Sequence, residues 1–147
     1  MKVRVRRLPG AGDLPLPAPA SPGSAGLDLR AAIAGELLIQ PGERVAVPTG
    51  LVLEIPVGWE GQVRPRSGLA LRHGIGLINA PGTIDSDYRG EVAVLLINLG
   101  DQPFTLRRGD RIAQLVLARA EAVEWEEADS LADSSRGDGG FGSTGLG

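Results

Sequence analysis

Twenty-two glycines and eleven prolines are spread along 147 residues. They cut the apolar runs into short pieces rich in Val, Ile and Leu, the pattern of an all-β domain. "KVRVR" alternates with period two and reads as a half-exposed strand. "GDLPLPAPASPGSAG" reads as a loop, because proline cannot serve a central strand. "ELLIQPGERVAVPTGLVLEIP" reads as strand, Pro-Gly turn, strand, turn, strand, and "WEGQVRP" as another short strand. "INAPGTIDSDYRGEVAVLLINLG" reads as a hairpin leading into a strand buried on both faces. "PFTLRRGDRIAQLVLARA" gives two more strands across an Arg-Gly-Asp turn. "SGLALRHG" is the best helical stretch, at most two turns long. The expected architecture is an all-β barrel or sandwich with one short helix and a mobile C-terminal arm.

Composition excludes several classes of chemistry. With no cysteine there is no disulfide, zinc-thiolate site or cysteine nucleophile. Fifteen basic residues include a single lysine, Lys2, so a Walker-type Gly-Lys loop cannot be built. Any phosphate site must rest on arginine and backbone N–H groups. A net charge of −3 argues against a general nucleic-acid binder. The N-terminus has charge but no apolar stretch behind it, so no signal peptide is expected, and the apolar run Val92–Ile97 is far short of a membrane span. A cytoplasmic protein of one domain is expected.

The tail "RGDGGFGSTG", 136–145, contains the spacing G-x-G-x-x-G at Gly137, Gly139 and Gly142. A dinucleotide site would need a strand before it and a helix after it, and only five residues follow Gly142. From composition alone the tail reads as disordered. His73 is the sole histidine, read as buried or satisfied at the surface. "GTIDSDYRGEV" gathers Asp85, Asp87 and Glu91 around Tyr88. It is either an acidic turn or a carboxylate held on a tight hairpin where it can take a proton from water. "RPRSGLA" follows a strand and opens the short helix, so Arg66, Ser67 and Gly68 form either an anion site or a plain cap.

Five stretches stand in a fixed order: "AGLDLRA" (25–31), "PRSGLA" (65–70), "GTIDSDYRGEV" (82–92), "RGDRIAQLV" (108–116) and "RGDGGFGSTG" (136–145). Together they resemble the five motifs of the trimeric dUTP diphosphatases, the dUTPases, over about 120 residues of the 147. The resemblance implies a jelly-roll-like β-barrel over 1–135 and a flexible arm over 136–147, assembled as a homotrimer whose active sites draw on all three chains. It implies hydrolysis of dUTP to dUMP and diphosphate, which keeps uracil out of DNA and supplies dUMP for thymidylate synthesis.

Roles follow by the same resemblance. Asp85 is the expected general base for the attacking water. Tyr88 lies against the deoxyribose and excludes a 2′-hydroxyl by shape. Asn79 pairs with uracil, and the backbone of Gly82, Thr83 and Ile84 completes the base pocket. Arg66, Ser67, Gly68 and Gln114 hold phosphate oxygens. Arg136 pairs with the γ-phosphate region, and Phe141 stacks on the uracil with Gly142 beside it. Mg²⁺ arrives on the triphosphate with its waters, with Asp28 in its outer sphere and no direct protein ligand. Two rivals are a dCTP deaminase, against which "TIDSDY" and "GGFGSTG" speak, and a non-catalytic relative, against which the presence of Asp85 and Arg136 speaks. No nucleic-acid or membrane partner is expected.

Overall fold

The structure, a computed structural model, describes residues 1–140. It contains ten strands and one helix: β1 Arg4–Arg7, β2 Leu27–Arg30, β3 Glu36–Ile39, β4 Arg44–Glu54, β5 Trp59–Arg64, α1 Ser67–His73, β6 Ile75–Leu77, β7 Gly82–Ile84, β8 Glu91–Asn98, β9 Phe104–Arg107 and β10 Arg111–Arg119. One sheet has the order β1-β4-β8-β6, a second β2-β10-β5-β7, and β3 pairs with β9. Every pairing is antiparallel. This is the all-β architecture expected from the punctuated apolar runs, in the jelly-roll-like form that the resemblance implies. No described helix is long and apolar enough to cross a membrane.

The core lies between the two larger sheets. Val47, Leu53, Val94 and Leu96 from one sheet and Leu29, Val63, Ala113 and Leu115 from the other belong to a single buried cluster. Residues 2 apart on each strand share a face, so the second sheet turns its alternate residues away from the core. Asp28, Gln114 and Arg64 are register partners across β2, β10 and β5, and Gln62 and Thr83 are partners across β5 and β7. A polar face therefore backs an apolar one, and it carries motif residues.

Three strand expectations need correction. Pro48-Thr49-Gly50 is not a turn between two strands. β4 runs straight through it with a register shift between Pro48 and Val52. The irregularity is held from both sides: Thr49 Oγ1 donates to the Val92 carbonyl at 2.6 Å, and Gly50 N donates to Glu91 Oε1 at 2.7 Å. Gly50 has φ +69°, which favours glycine, so the sequence signal was real but marks a bulge. Next, β7 and β8 do not pair as a hairpin. β7 joins β5 and β8 joins β4 and β6, so residues 85–90 cross from one sheet to the other. Finally, β8 is not buried on both faces: Val92, Val94, Leu96 and Asn98 are buried while Ala93 and Leu95 are exposed. Its outward residues are apolar, which is what made the run read as doubly buried.

The short helix forms as expected. It stops at Gly74, whose φ of +66° and contact with the Gly100 backbone leave no room for a side chain. Regular structure ends with β10 at Arg119, and residues 120–138 are exposed.

Candidate active site

The β5–α1 junction makes one half of the site. Arg66 is extended, with φ −97° and ψ 124°, and its carbonyl accepts from Leu69 N and Ala70 N at 3.1 Å each. Ser67 and Gly68 begin the helix, where N–H groups have no partner within it. β2 brings Asp28 to the same place, and β10 brings Gln114 and Arg111. The Gln114 amide donates to the Pro65 carbonyl at 2.9 Å. Its Oε1 occupies the space where a Cβ on Gly26 would be, so Gly26 of the first motif leaves room for Gln114 of the fourth.

These side chains line a cleft of about 400 Å³. Three guanidiniums, Arg64, Arg66 and Arg111, face one carboxylate, Asp28. Asp28 Oδ1 lies 3.3 Å from Arg66 Nε and Oδ2 lies 3.0 Å from Arg111 Nη1. Arg66 Nη1 also donates to the Arg111 carbonyl at 3.0 Å. The excess of cationic groups suits a polyanion, and the bidentate geometry of guanidinium suits phosphate oxygens. Arg64 and Arg111 were missed in the sequence. The cross-strand register explains Arg64, which stands opposite Gln114, whereas Arg111 is turned toward Asp28 by an irregularity between Arg111 and Ala113. A second, larger groove continues past Arg66 and Arg111 to His73 and Phe104, whose rings stand 5.2 Å apart at 51°. His73 is thus a surface histidine resting on an aromatic neighbour.

The other half of the site is at the far edge of the same sheet. β7 pairs with β5 in the register Gly82↔Val63, Thr83↔Gln62 and Ile84↔Gly61. Asn79 folds back over Gly82, where an added Cβ would stand 3.0 Å from Nδ2. The absent side chain keeps the Gly82 backbone open to that amide. Asp85 is exposed just past the strand, and its carbonyl accepts from Tyr88 N at 3.2 Å. Arg89 Nη1 donates to the Ser86 and Tyr88 carbonyls at 2.7 and 2.8 Å, bracing the turn. Tyr88 Oη donates to the Glu91 carbonyl at 2.9 Å. The turn presents the Asp85 carboxylate and the Tyr88 ring, both exposed, while the Asn79 amide stands beside Gly82 at the other end of β7. None of Asn79, Asp85 and Tyr88 lines the cationic cleft.

Arg136 reaches neither half. Its Nε donates to the Gly139 carbonyl at 2.6 Å inside a local turn, and it is exposed. Phe141 and Gly142 lie outside the described residues. Among the described residues no group of three or more acidic or histidine side chains could hold a metal ion. Asp28, the sole carboxylate lining the cleft, already meets a guanidinium with each oxygen. That donor set does not suit a bare divalent cation, but it can accept hydrogen bonds from the waters of a cation carried in by an anionic ligand.

Comparison with known proteins converges on one family. The dUTPase family model matches residues 13–145. A deoxyuridine 5'-triphosphate nucleotidohydrolase of Anaplasma marginale is 57% identical over 99% of this chain and 99% of its own. One from Methylocella silvestris is 60% identical over 99% and 92%. Among solved structures, a Staphylococcus bacteriophage 80alpha dUTPase mutant with dUpNHpp superposes with a TM-score of 0.88 at 22% identity, covering 99% of each chain. A mutant dUTPase from phage phi11 of S. aureus, described as coordinating a structural Mg(II) ion, superposes with a TM-score of 0.78 at 20% identity over 88% of this chain and 98% of its own. At that identity the two phage proteins speak for the fold.

Proposed function

The chain belongs to the dUTPase family, and from that premise we propose how its residues divide the work of the reaction. The chain hydrolyses dUTP to dUMP and diphosphate. Asp85 takes a proton from the water that attacks the α-phosphorus. Its exposed position at the end of β7 leaves the carboxylate free for that task. Asn79 and the backbone of Gly82, Thr83 and Ile84 receive the uracil, and the Tyr88 ring stands against the deoxyribose. Arg66, Ser67, Gly68 and Gln114 bind the phosphates, joined by Arg64 and Arg111. Arg136 neutralises the terminal phosphate when the arm closes, and Phe141 and Gly142 cover the base.

The observation that carries this reading is the separation of the two halves. The cationic cleft holds the second- and fourth-motif residues, and Asn79, Asp85, Tyr88 and Arg136 do not line it. One chain therefore presents a phosphate site and a nucleoside site that do not share a pocket. A homotrimer in which each site draws on several chains brings them together, and the apolar outward residues Ala93 and Leu95 of β8 favour such association. Asp28 keeps Arg66 and Arg111 oriented and would hold the waters of a magnesium ion carried on the triphosphate, which would supply charge neutralisation there. The enzyme works on free nucleotides in the cytoplasm, lowering dUTP and providing dUMP.

The test is diphosphate release from dUTP beside dTTP, dCTP and UTP. Strong preference for dUTP is expected. Ammonia released from dCTP would instead identify a deaminase.

A further inference from the structure

The Tyr88 ring has a definite seat. Its Oη is tied to the Glu91 carbonyl at 2.9 Å. Glu91 and Val92 are in turn fastened to the β4 bulge through Gly50 N and Thr49 Oγ1. The phenol end of the ring occupies the space that a side chain on Gly90 would take. A Cβ at that position would overlap Tyr88 Oη, and would stand 2.5 Å from Cζ and 2.9 Å from Cε2. Gly90 is not among the positive-φ glycines, so a left-handed backbone is not what calls for glycine there. What bars a side chain at position 90 is the Tyr88 ring.

We propose that Gly90 is a specificity-determining residue: its missing side chain seats the Tyr88 ring and so fixes the wall that meets the sugar's 2′ position. The inference rests on the reading that Tyr88 faces the deoxyribose. Tyr88 is 45% exposed, so a methyl group at position 90 moves the ring rather than the fold. The displaced ring no longer matches deoxyribose, and ribose gains room. A pocket wall out of place by one methyl group changes selectivity between close analogues by about tenfold or more.

The experiment measures kcat/KM for dUTP and UTP, with thermal melting, in four full-length proteins: unmodified, Gly90→Ala, Tyr88→Ala and the double variant. The unmodified enzyme should strongly prefer dUTP, and Tyr88→Ala should narrow that preference. Failure of either result overturns the underlying reading of Tyr88, and the inference with it. With both in place, Gly90→Ala should fold and narrow the dUTP/UTP ratio by about tenfold. In the Tyr88→Ala background the same change should leave the ratio where Tyr88→Ala alone puts it, because no ring remains to displace. If Gly90→Ala fails to fold, the double variant should fold, since the overlap is gone. An unchanged ratio in folded Gly90→Ala, a further change in the double variant, or a double variant that also fails to fold overturns the role of Gly90 alone.

Discussion

Asp28 holds Arg66 across the mouth of the cationic cleft, Oδ1 to Nε at 3.3 Å, from a strand 38 positions earlier in the chain. Both side chains are mostly buried, 19% and 26% exposed. Asp28→Asn keeps the shape and removes the charge between Arg66 and Arg111. The two guanidiniums then repel, and stability should fall by about 1–2 kcal/mol. Loss of a partner that orients binding groups should lower kcat by about 10- to 100-fold. Melting temperature and steady-state kinetics check both. Unchanged turnover would show that the ion pair is not part of the phosphate site.

Asp85→Asn should leave nucleotide binding intact. The isosteric amide keeps the turn and cannot accept the proton, so turnover should fall by about 10²- to 10⁴-fold. Titration with a non-hydrolysable dUTP analogue and single-turnover kinetics separate the two effects. Turnover equal to the unmodified enzyme would move the base elsewhere.

Gly26→Ala tests a contact between two motifs far apart in the chain. The new methyl takes the place of Gln114 Oε1 and would stand 3.1 Å from Cδ, so the amide must leave the Pro65 carbonyl. Stability should drop by about 1–3 kcal/mol, the usual effect of overpacking. KM for dUTP should rise in Gly26→Ala as it does in Gln114→Ala, and the two changes together should be less than additive. Full additivity in the double variant would count against a shared cause.

Asp13 and Arg108 tie the N-terminal loop to the β9–β10 turn, with Arg108 Nε donating to Asp13 Oδ2 at 3.1 Å and Nη1 to the Ile33 carbonyl at 3.1 Å. The hydrogen bond from Arg108 holds the Asp13 carboxyl below its ordinary 3.8, and the same bond raises the Arg108 guanidinium above its ordinary value. A lowered carboxyl pKa contributes stability above the unfolded value and loses it as pH falls through the folded one. A raised arginine pKa contributes at all pH values below the unfolded one. Asp13→Asn should therefore lower the melting temperature slightly at neutral pH, and the gap should close as pH drops below 3.8. A gap that persists in strong acid would assign the effect to something other than charge.

Truncation after Ser135 removes Arg136 and no strand, since β10 ends at Arg119. A folded protein that binds dUTP but has lowered kcat is expected. Mixed with Asp85→Asn in co-expressed trimers, it tests whether the arm serves a neighbouring chain. If base and arm come from different chains, about a quarter of the sites in an equal mixture are intact. If they come from the same chain, none is. Confirmed mixed trimers without recovered activity would rule out an arm acting across the boundary.

Most strands and the short helix could be read from the sequence, because Gly and Pro mark where apolar runs end. What they could not show was partnership. The signal at Pro48-Thr49-Gly50 reads as a turn, since a bulge and a turn both call for glycine in the left-handed region. The step from Ile84 to Glu91 reads as a hairpin, since a short loop between strands looks the same whether or not they pair. Arg64 and Arg111 were invisible for a related reason. Their place beside Gln114 and Asp28 is a matter of register between strands, which no single stretch encodes. Asp28, Arg66, Ser67, Gly68 and Gln114 were legible as members of a motif set, and the structure gathers them around one cleft. Asn79, Asp85 and Tyr88 were legible in the same way, and they stand outside that cleft, before and after the edge strand β7.

Residues 85–90 join one sheet to the other, with Ile84 and Val92 both in the shared core. The loop is therefore a strut whose two feet stand on opposite walls of the barrel. Between those walls lies the apolar filling of the shared core. A bulkier or smaller side chain in that filling spreads or draws in the feet and tilts everything the strut carries. Sugar discrimination should accordingly drift under core substitutions that never touch nucleotide, such as Val94→Ala or Leu115→Ala. A laboratory selection for altered substrate choice should recover changes in the barrel's interior as readily as in the turn itself.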